Sequence, residues 1–254
     1  MTDSRRSVSQ IDVHFPPIVD RESRLNKARK IAAVLRDFGN GLTGQRILDI
    51  GTGSGTIAAH LAEHASFVVG IDVVDERLET NVPFLLIGDE GLPFHARSFD
   101  IVVSNHLIDH VEDQKEHLRE IRRVLDEGGV TYLAVFNRYA LIEPHYGLPL
   151  LSWLPEGGRN FYLGRVKGRQ YNVIPIALGR LTRLALSVGF EVEDVSLDLV
   201  KNPERYAMGN GRFARGLSLL PRWLVALIRP LFPSFVLLLR KLPSNDATPP
   251  EGLR

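Results

Sequence analysis

The chain has no cysteine in its 254 residues. That excludes disulfides, thiolate metal sites and cysteine nucleophiles, and it fits a reducing compartment. Charge of either sign is not in excess: 31 basic residues against 30 acidic ones leave a formal net charge of +1. A general nucleic-acid binder carries a strongly basic balance or stripe, so no nucleic-acid partner is expected. The first thirty residues, charged from Arg5 to Lys30, contain no apolar core of signal-peptide length. A cytoplasmic protein is expected from this. There is also no G-x-x-x-x-G-K-S/T phosphate-binding run and no internal repeat.

The most informative stretch is Ile47-Leu48-Asp49-Ile50-Gly51-Thr52-Gly53-Ser54-Gly55-Thr56, where an apolar strand runs into an acidic residue, three alternating glycines and a helical pattern. Glycine lets the backbone turn sharply and approach a ligand closely. The helix that follows presents free N–H groups at the same place. The segment therefore reads as a nucleotide-binding turn, with an ordinary glycine-rich turn as the plain alternative. A dinucleotide-binding G-x-G-x-x-G turn needs glycine where this chain has Thr56, which makes a nicotinamide-dependent oxidoreductase the weaker reading.

Around the turn, strand and helix patterns alternate as in a parallel α/β sheet. Leu25, Ala28, Ile31, Ala32 and Leu35 have the spacing of an amphipathic helix, which Gly39-Asn40-Gly41 ends. Strands are predicted over 46–50, 67–72, 84–87, 99–104 and 130–136, and helices over 53–64 and 115–125, the latter closed by Gly128-Gly129. Only residues 73–83 separate the second strand from the third, so the usual intervening helix is expected to shrink to 75–80 or vanish. A segment rich in Pro, Gly and aromatics interrupts the alternation over 138–174. A helix over 176–188 and a strand over 190–199 follow, then a second interruption over 202–233 and a buried last strand at 235–239. Residues 1–20 read as a flexible arm and 244–254 as a disordered tail, leaving 21–243 as the folded domain.

The pattern Asp49-x-Gly51-x-Gly53-x-Gly55 resembles motif I of the class I S-adenosylmethionine-dependent methyltransferases. Three further segments resemble their small-molecule branch, methyltransferase type 11, which includes ubiquinone and menaquinone methyltransferases. These are Gly88-Asp89-Glu90-Gly91-Leu92-Pro93-Phe94 with Ser98-Phe99-Asp100, then Ser104 to Asp113 with its His110-Val111 pair, then Leu118 to Leu125 with Gly128-Gly129. In order, the four cover about residues 45–137. The resemblance implies an α/β fold with a doubly wound, Rossmann-like seven-stranded methyltransferase sheet, its last strand antiparallel. Lid insertions after strands 5 and 6 would be 138–174, over the acceptor, and 202–233, apolar and helical. It also implies S-adenosylmethionine as cofactor. By the same resemblance Asp49 orients the amino group of the methionine moiety and Asp89 binds the adenine amino group. Asp72, ending the second strand, offers a carboxylate to both ribose hydroxyls. Gly51, Thr52, Gly53, Gly55, Val73, Glu90 and Asn105 complete the expected cofactor seat, whereas Asp100 and Arg122-Arg123 are assigned to fold and surface.

Methyl transfer needs alignment, exclusion of water and, for a hydroxyl acceptor, a base. His106, just past the fourth strand, and His145, in the first insertion, are the candidate bases, with Glu143 as the acid that orients His145. Each has a structural alternative, a backbone-bonded histidine or a packed loop. No cluster in the sequence demands a metal. The expected function is methyl transfer from S-adenosylmethionine to a small-molecule or lipid-linked acceptor, oxygen first, with a methyltransferase-like binding protein without turnover as the alternative.

Two further segments bear on partners. Arg159, Arg165, Lys167 and Arg169 lie among Phe161, Tyr162 and Tyr171, either a lid facing an anionic small molecule or phosphorylated lipid carrier, or a solvated basic loop. Residues 217–232 are apolar but too short and too broken by proline to span a membrane. They read as a peripheral membrane contact, or equally as a buried helix or dimer contact. Residues 201–254 hold nine Lys or Arg against three Asp or Glu, a balance that favours anionic lipid. A place at the inner face of the membrane therefore stands beside a purely cytoplasmic one.

Overall fold

The structure is a computed structural model that describes residues 21–88, 91–209 and 211–242. The arm at 1–20, Asp89, Glu90 and the tail at 244–254 lie outside the described residues. In chain order the elements are α1 (Arg21–Asp37), β1 (Arg46–Ile50), α2 (Thr56–Ala62), β2 (Phe67–Asp72), β3 (Phe84–Leu86) and β4 (Phe99–Asn105). Then come α3 (Gln114–Val124), β5 (Leu125–Phe136), α4 (Glu156–Lys167), α5 (Leu178–Val188), β6 (Phe190–Asp194) and α6 (Ser196–Lys201). The chain closes with α7 (Arg212–Leu219), α8 (Arg222–Ile228) and β7 (Ser234–Lys241).

The strands form one seven-stranded sheet in the order β3-β2-β1-β4-β5-β7-β6. β7 runs antiparallel to both β5 and β6, and the other pairings are parallel. Successive strand residues face opposite sides of a sheet, and the two cores follow that alternation. Leu48, Ile50, Val69, Ile71 and Val102 pack with Leu118 and Ile121 of α3 and Leu181 and Ala185 of α5. Ile47, Val68, Ile101 and Val103 pack on the other face with Ile31 and Leu35 of α1 and Ala58 and Leu61 of α2. Burying each such side chain is worth ~1.5–3 kcal/mol, so two filled faces fix the register firmly. The same alternation assigns Asp49, Asp72 and Asn105 to the face of α1 and α2, at the carboxyl ends of their strands. The strand order reverses between β1 and β4, where open α/β sheets bind ligands.

Residues 73–83 hold no helix, within the expectation that the intervening helix shrinks or vanishes. Several other boundaries depart from the sequence expectation. Gly128-Gly129 does not close α3. α3 gives way at once to β5, and the pair lies in a bulge where the register shifts between the Phe99–Leu125 and Ile101–Val130 pairings. A Cβ on Gly129 would fall 2.8 Å from Leu125 Cγ and 2.9 Å from the Asp100 carbonyl, so only glycine fits the bulge. The strand expected over 190–199 stops at Asp194, whose carboxylate accepts a bond from the Ser196 amide at 2.8 Å and starts α6. Val195 and Leu199 reach one core while Leu197 and Val200 reach the other, a helical spacing hidden within an alternating one.

The first interruption contains a helix that its glycines concealed. α4 begins after Pro155, carries Glu156 in its first turn and Arg165 and Lys167 in its last, and ends on Gly168 at φ 65°. Leu163 of α4 packs with Leu148 and Leu151, flanked by Tyr146, Tyr162 and Tyr171, as a small core separate from the two sheet faces. The second interruption carries α7 and α8. Among the described residues no helix is long and apolar enough to cross a membrane.

Candidate functional site

The three glycines after β1 all take positive φ, +72° at Gly51, +51° at Gly53 and +76° at Gly55. Two of them are demanded by the protein itself. A Cβ on Gly51 would meet Leu107 Cδ1 at 3.1 Å, and one on Gly55 would meet the Glu79 carbonyl at 2.5 Å. At Gly53 the nearest atom would be Arg24 Nη1, 3.8 Å away. The middle glycine thus borders open space, as a turn built for close approach of a ligand requires.

Two carboxylates hold this turn. Asp72 Oδ2 accepts from the Gly53 amide at 2.8 Å, and its Oδ1 accepts from the Val73 amide at 2.8 Å. Asp49 Oδ2 accepts from the Thr52 hydroxyl at 2.7 Å. Thr52 in turn leans on Gly70 of β2, where a Cβ would sit 2.9 Å from its Oγ1. Burial raises the Asp49 pKa to about 7; the Thr52 bond opposes that rise and the Asp72 charge adds to it. Asn105 follows on β4 with its Oδ1 buried and unpartnered, while Val73 is exposed. From α1, Arg24 Nη1 donates to Ser54 Oγ at 2.9 Å, which lays a guanidinium across the turn. The sequence reading did not single out Arg24. Arg24, Lys27 and Lys30 are three residues apart and share a face of α1, a cationic row that the spacing displays.

This donor set fits S-adenosylmethionine. Carboxylates suit its ammonium and ribose hydroxyls, Arg24 suits its carboxylate, Gly53 leaves room for the backbone to be approached, and Asn105 has an acceptor to spare. Asp89 and Glu90 lie outside the described residues.

Past β4 the chain gathers a second group. His106 sits at φ 56°, its ring stacked on Phe136 with centroids 3.9 Å apart and its Nδ1 buried without a partner. Burial, then the charges of Lys30 and Lys27, push its pKa well down, so the ring is neutral. His145 stands between two buried carboxylates. Its Nδ1 is 2.7 Å from Glu143 Oε1, and its Nε2 lies at ion-pair distance, 3.2 Å, from Asp109 Oδ2. Burial works to lower the His145 pKa, but Asp109 and Glu143 together raise it to about 9. Glu143 is further held by the Tyr146 amide at 2.7 Å. The predicted Glu143–His145 pair therefore forms, with a second acid, Asp109, that the sequence could not assign because it arrives from another loop. His110 meets His145 edge to face at 5.0 Å. Asp109, His110 and His145 present ligand atoms within 4.8 Å of one another, a grouping with the reach for a metal ion that is not apparent in the sequence.

On α4, Arg159 covers the Tyr171 ring at 4.7 Å with Nε and Nη1 buried and without a partner among the described residues, and Arg165 lies over Phe161, so the expected basic loop is largely helical. Arg222 pairs with Asp198 and Arg229 with Asp194. Trp223 and Leu227 of α8 remain 70% and 71% exposed.

Residues 48–133 match the model of the family described as a methyltransferase domain. The chain is 28% identical over 189 residues to a ubiquinone biosynthesis O-methyltransferase of Pseudomonas aeruginosa, covering 67% of this chain and 75% of that one. It is 28% identical over 145 residues to the enzyme of that name from Haemophilus ducreyi, covering 48% and 59%. In fold it is similar to an S-adenosylmethionine-dependent methyltransferase from Mesorhizobium loti, with TM-score 0.55, 19% identity, and 84% and 100% of the two chains covered. An Archaeoglobus fulgidus enzyme so described gives TM-score 0.55 at 16% identity, covering 87% and 95%.

The charge on His145 makes a pH prediction. A histidine whose folded pKa is raised from 6.5 to about 9 contributes stability fully present below pH 6.5 and lost as pH rises through 9. The urea midpoint of the wild type should fall between those two values, and His145→Gln should start lower and lack that part of the fall. Parallel pH profiles for the two proteins would contradict the assignment.

Proposed function

We propose that this chain, which belongs to the class I S-adenosylmethionine-dependent methyltransferases, methylates an oxygen on a small-molecule or lipid-linked acceptor. The observation that carries the oxygen assignment is His106. It is a neutral imidazole with a buried, unengaged nitrogen beside the carboxyl end of β4, and a hydroxyl acceptor needs such a group to take its proton. S-adenosylmethionine, when bound, supplies an electrophilic methyl group on a sulfonium. Asp49, Thr52, Gly51, Gly53, Gly55, Asp72, Val73 and Asn105, with Asp89 and Glu90, hold it; Arg24 adds a cation for its carboxylate.

The remaining side chains position and exclude. His145 is charged at neutral pH and both its ring nitrogens face carboxylates. It therefore acts less as a base than as a cationic strut, with Glu143 and Asp109, between the segment after β4 and the 138–174 insertion. That strut supports the insertion as a lid over the acceptor, and the insertion packs on its own small core of Leu148, Leu151 and Leu163. The curated relatives named as ubiquinone biosynthesis O-methyltransferases support an oxygen acceptor of small-molecule or lipid-linked kind.

A peripheral membrane contact through 217–232 has one specific observation behind it. Leu219, Trp223, Leu227 and Leu231 expose apolar surface along one stretch. The two arginines there are ion-paired, so binding would rest on the apolar row more than on charge.

Incubation with methyl-labelled S-adenosylmethionine and a cell extract should give a labelled product in which the methyl resists the mild base that cleaves esters. His106→Ala should lower that turnover about a hundredfold or more, with S-adenosylhomocysteine affinity unchanged. An undiminished rate would remove His106 from the reaction. For the membrane contact, Trp223→Ser with Leu227→Ser should abolish flotation on anionic liposomes. Equal flotation of variant and wild type, or none in the wild type, would remove it.

A further inference from the structure

α1 does more than cover one sheet face. Its buried residues, Ala28, Ile31, Ala32, Val34 and Leu35, anchor the helix, while Ser23, Asn26, Lys27 and Lys30 line a cleft of about 350 Å³ closed on the far side by residues 207–209. Left-handed backbone at Ala207, φ 47°, and Gly209, φ 85°, turns that far wall, and the Met208 amide is tied back to the Pro203 carbonyl at 2.8 Å. The cleft is large enough for a small polar group and its first neighbours.

The two lysines are unusual among the cations of this chain. Arg21, Arg24, Arg46, Arg77, Arg123, Arg205, Arg222 and Arg229 all have carboxylate or hydroxyl partners. Among the described residues Lys27 and Lys30 have neither an ion pair nor a hydrogen bond. Lys30 keeps a partial opening to solvent and is otherwise packed round by protein, which with the Lys27 charge lowers its pKa to about 8. Glu22 also lines the cleft. Both lysine charges act on His106, lowering its pKa. Holding two like charges one turn apart, with no ion-pair partner for either among the described residues, is unfavourable, and an anion in the cleft would relieve it.

We propose that Lys27 and Lys30, with the Asn26 amide and the Ser23 hydroxyl, seat an oxyanion of the methyl acceptor, a phosphoryl or carboxylate group, in the cleft between α1 and residues 207–209. This rests on the methyltransferase reading and specifies its substrate: an acceptor with an anionic group on one side of the methylated oxygen. Arg24, one turn earlier on the same face, stays with the cofactor, so α1 divides its cations between the two substrates. The lysines bind and orient, and they take no part in proton transfer.

The test uses the whole chain saturated with S-adenosylhomocysteine. Inorganic pyrophosphate, propionate, and vesicles of phosphatidic acid in phosphatidylcholine are titrated in turn into the wild type, Lys27→Met/Lys30→Met and Lys27→Arg/Lys30→Arg. S-adenosylhomocysteine affinity and Tm are recorded for each. The wild type should bind an oxyanion, the Met pair roughly tenfold or more weakly, and the Arg pair within about threefold of the wild type. Cofactor affinity should not move. Binding of the soluble anions points to a free acceptor, and binding of vesicles alone to a lipid headgroup; both outcomes support the seat. If the Met pair does not fold, Lys27→Gln alone should weaken the same anion about threefold. No anion binding in a wild type that binds S-adenosylhomocysteine, equal binding in the Met pair, or cofactor affinity lost in step with anion affinity would overturn the proposal. A wild type that binds no S-adenosylhomocysteine would instead overturn the methyltransferase reading, and this seat with it.

Discussion

Gly53 can border open space because Asp72 holds its amide from β2 and because Thr52, wedged against Gly70, pins the other side of the turn to Asp49. Most of what the carboxyl edge of the sheet can bind depends on that pair of restraints. They fix a backbone of three positive-φ residues in a shape that a side chain at Gly70 or Gly55 would break. They also cost something. A carboxylate as buried as Asp49 resists ionisation, and a charged ammonium placed beside it would offset that cost.

The same logic, a buried charge and what balances it, distinguishes the other groups along this edge. His145 is matched by two acids. His106 Nδ1 has no partner among the described residues, and burial with the charges of Lys30 and Lys27 keeps the ring neutral. Lys27 and Lys30 have no ion-pair or hydrogen-bond partner among the described residues. Charge is therefore complete within the protein at His145 and incomplete along α1, and the incomplete places are where a ligand has something to contribute. Sheet alternation explains why they converge. Asp49, Asp72 and Asn105 share the face on which α1 packs, and Arg24 of α1 reaches the glycine turn at Ser54.

The strands and the glycine turn were legible because both are local. Ile47 to Gly55 carries strand, acid and glycines in ten consecutive residues, and Phe67 to Asp72 repeats the strand with its terminal acid. The loss of the helix after β2 was legible too, from the shortness of 73–83. What stayed hidden needed distant partners. Asp109 has no mark in the sequence as a partner of His145, because the ion pair joins two loops separated by all of α3 and β5. α4 was obscured by Gly157, Gly158 and Gly164, whose cost to a helix is met by its caps and by Leu163. The segment after Asp194 carries apolar residues that satisfy a strand and a helix alike, and a single side-chain bond to the Ser196 amide decides between them. Arg24, Lys27 and Lys30 were visible as charges, but the reach of Arg24 to the glycine turn was not.

The most direct measurement is a calorimetric titration of S-adenosylhomocysteine and, separately, of NADH into the wild type and Asp72→Ala. An S-adenosylmethionine seat built on the Asp49–Gly55 turn predicts that S-adenosylhomocysteine binds the wild type, that Asp72→Ala loses roughly tenfold or more in affinity, and that NADH binds neither. Binding of NADH in place of S-adenosylhomocysteine, or equal affinity in the Asp72→Ala protein, would contradict it.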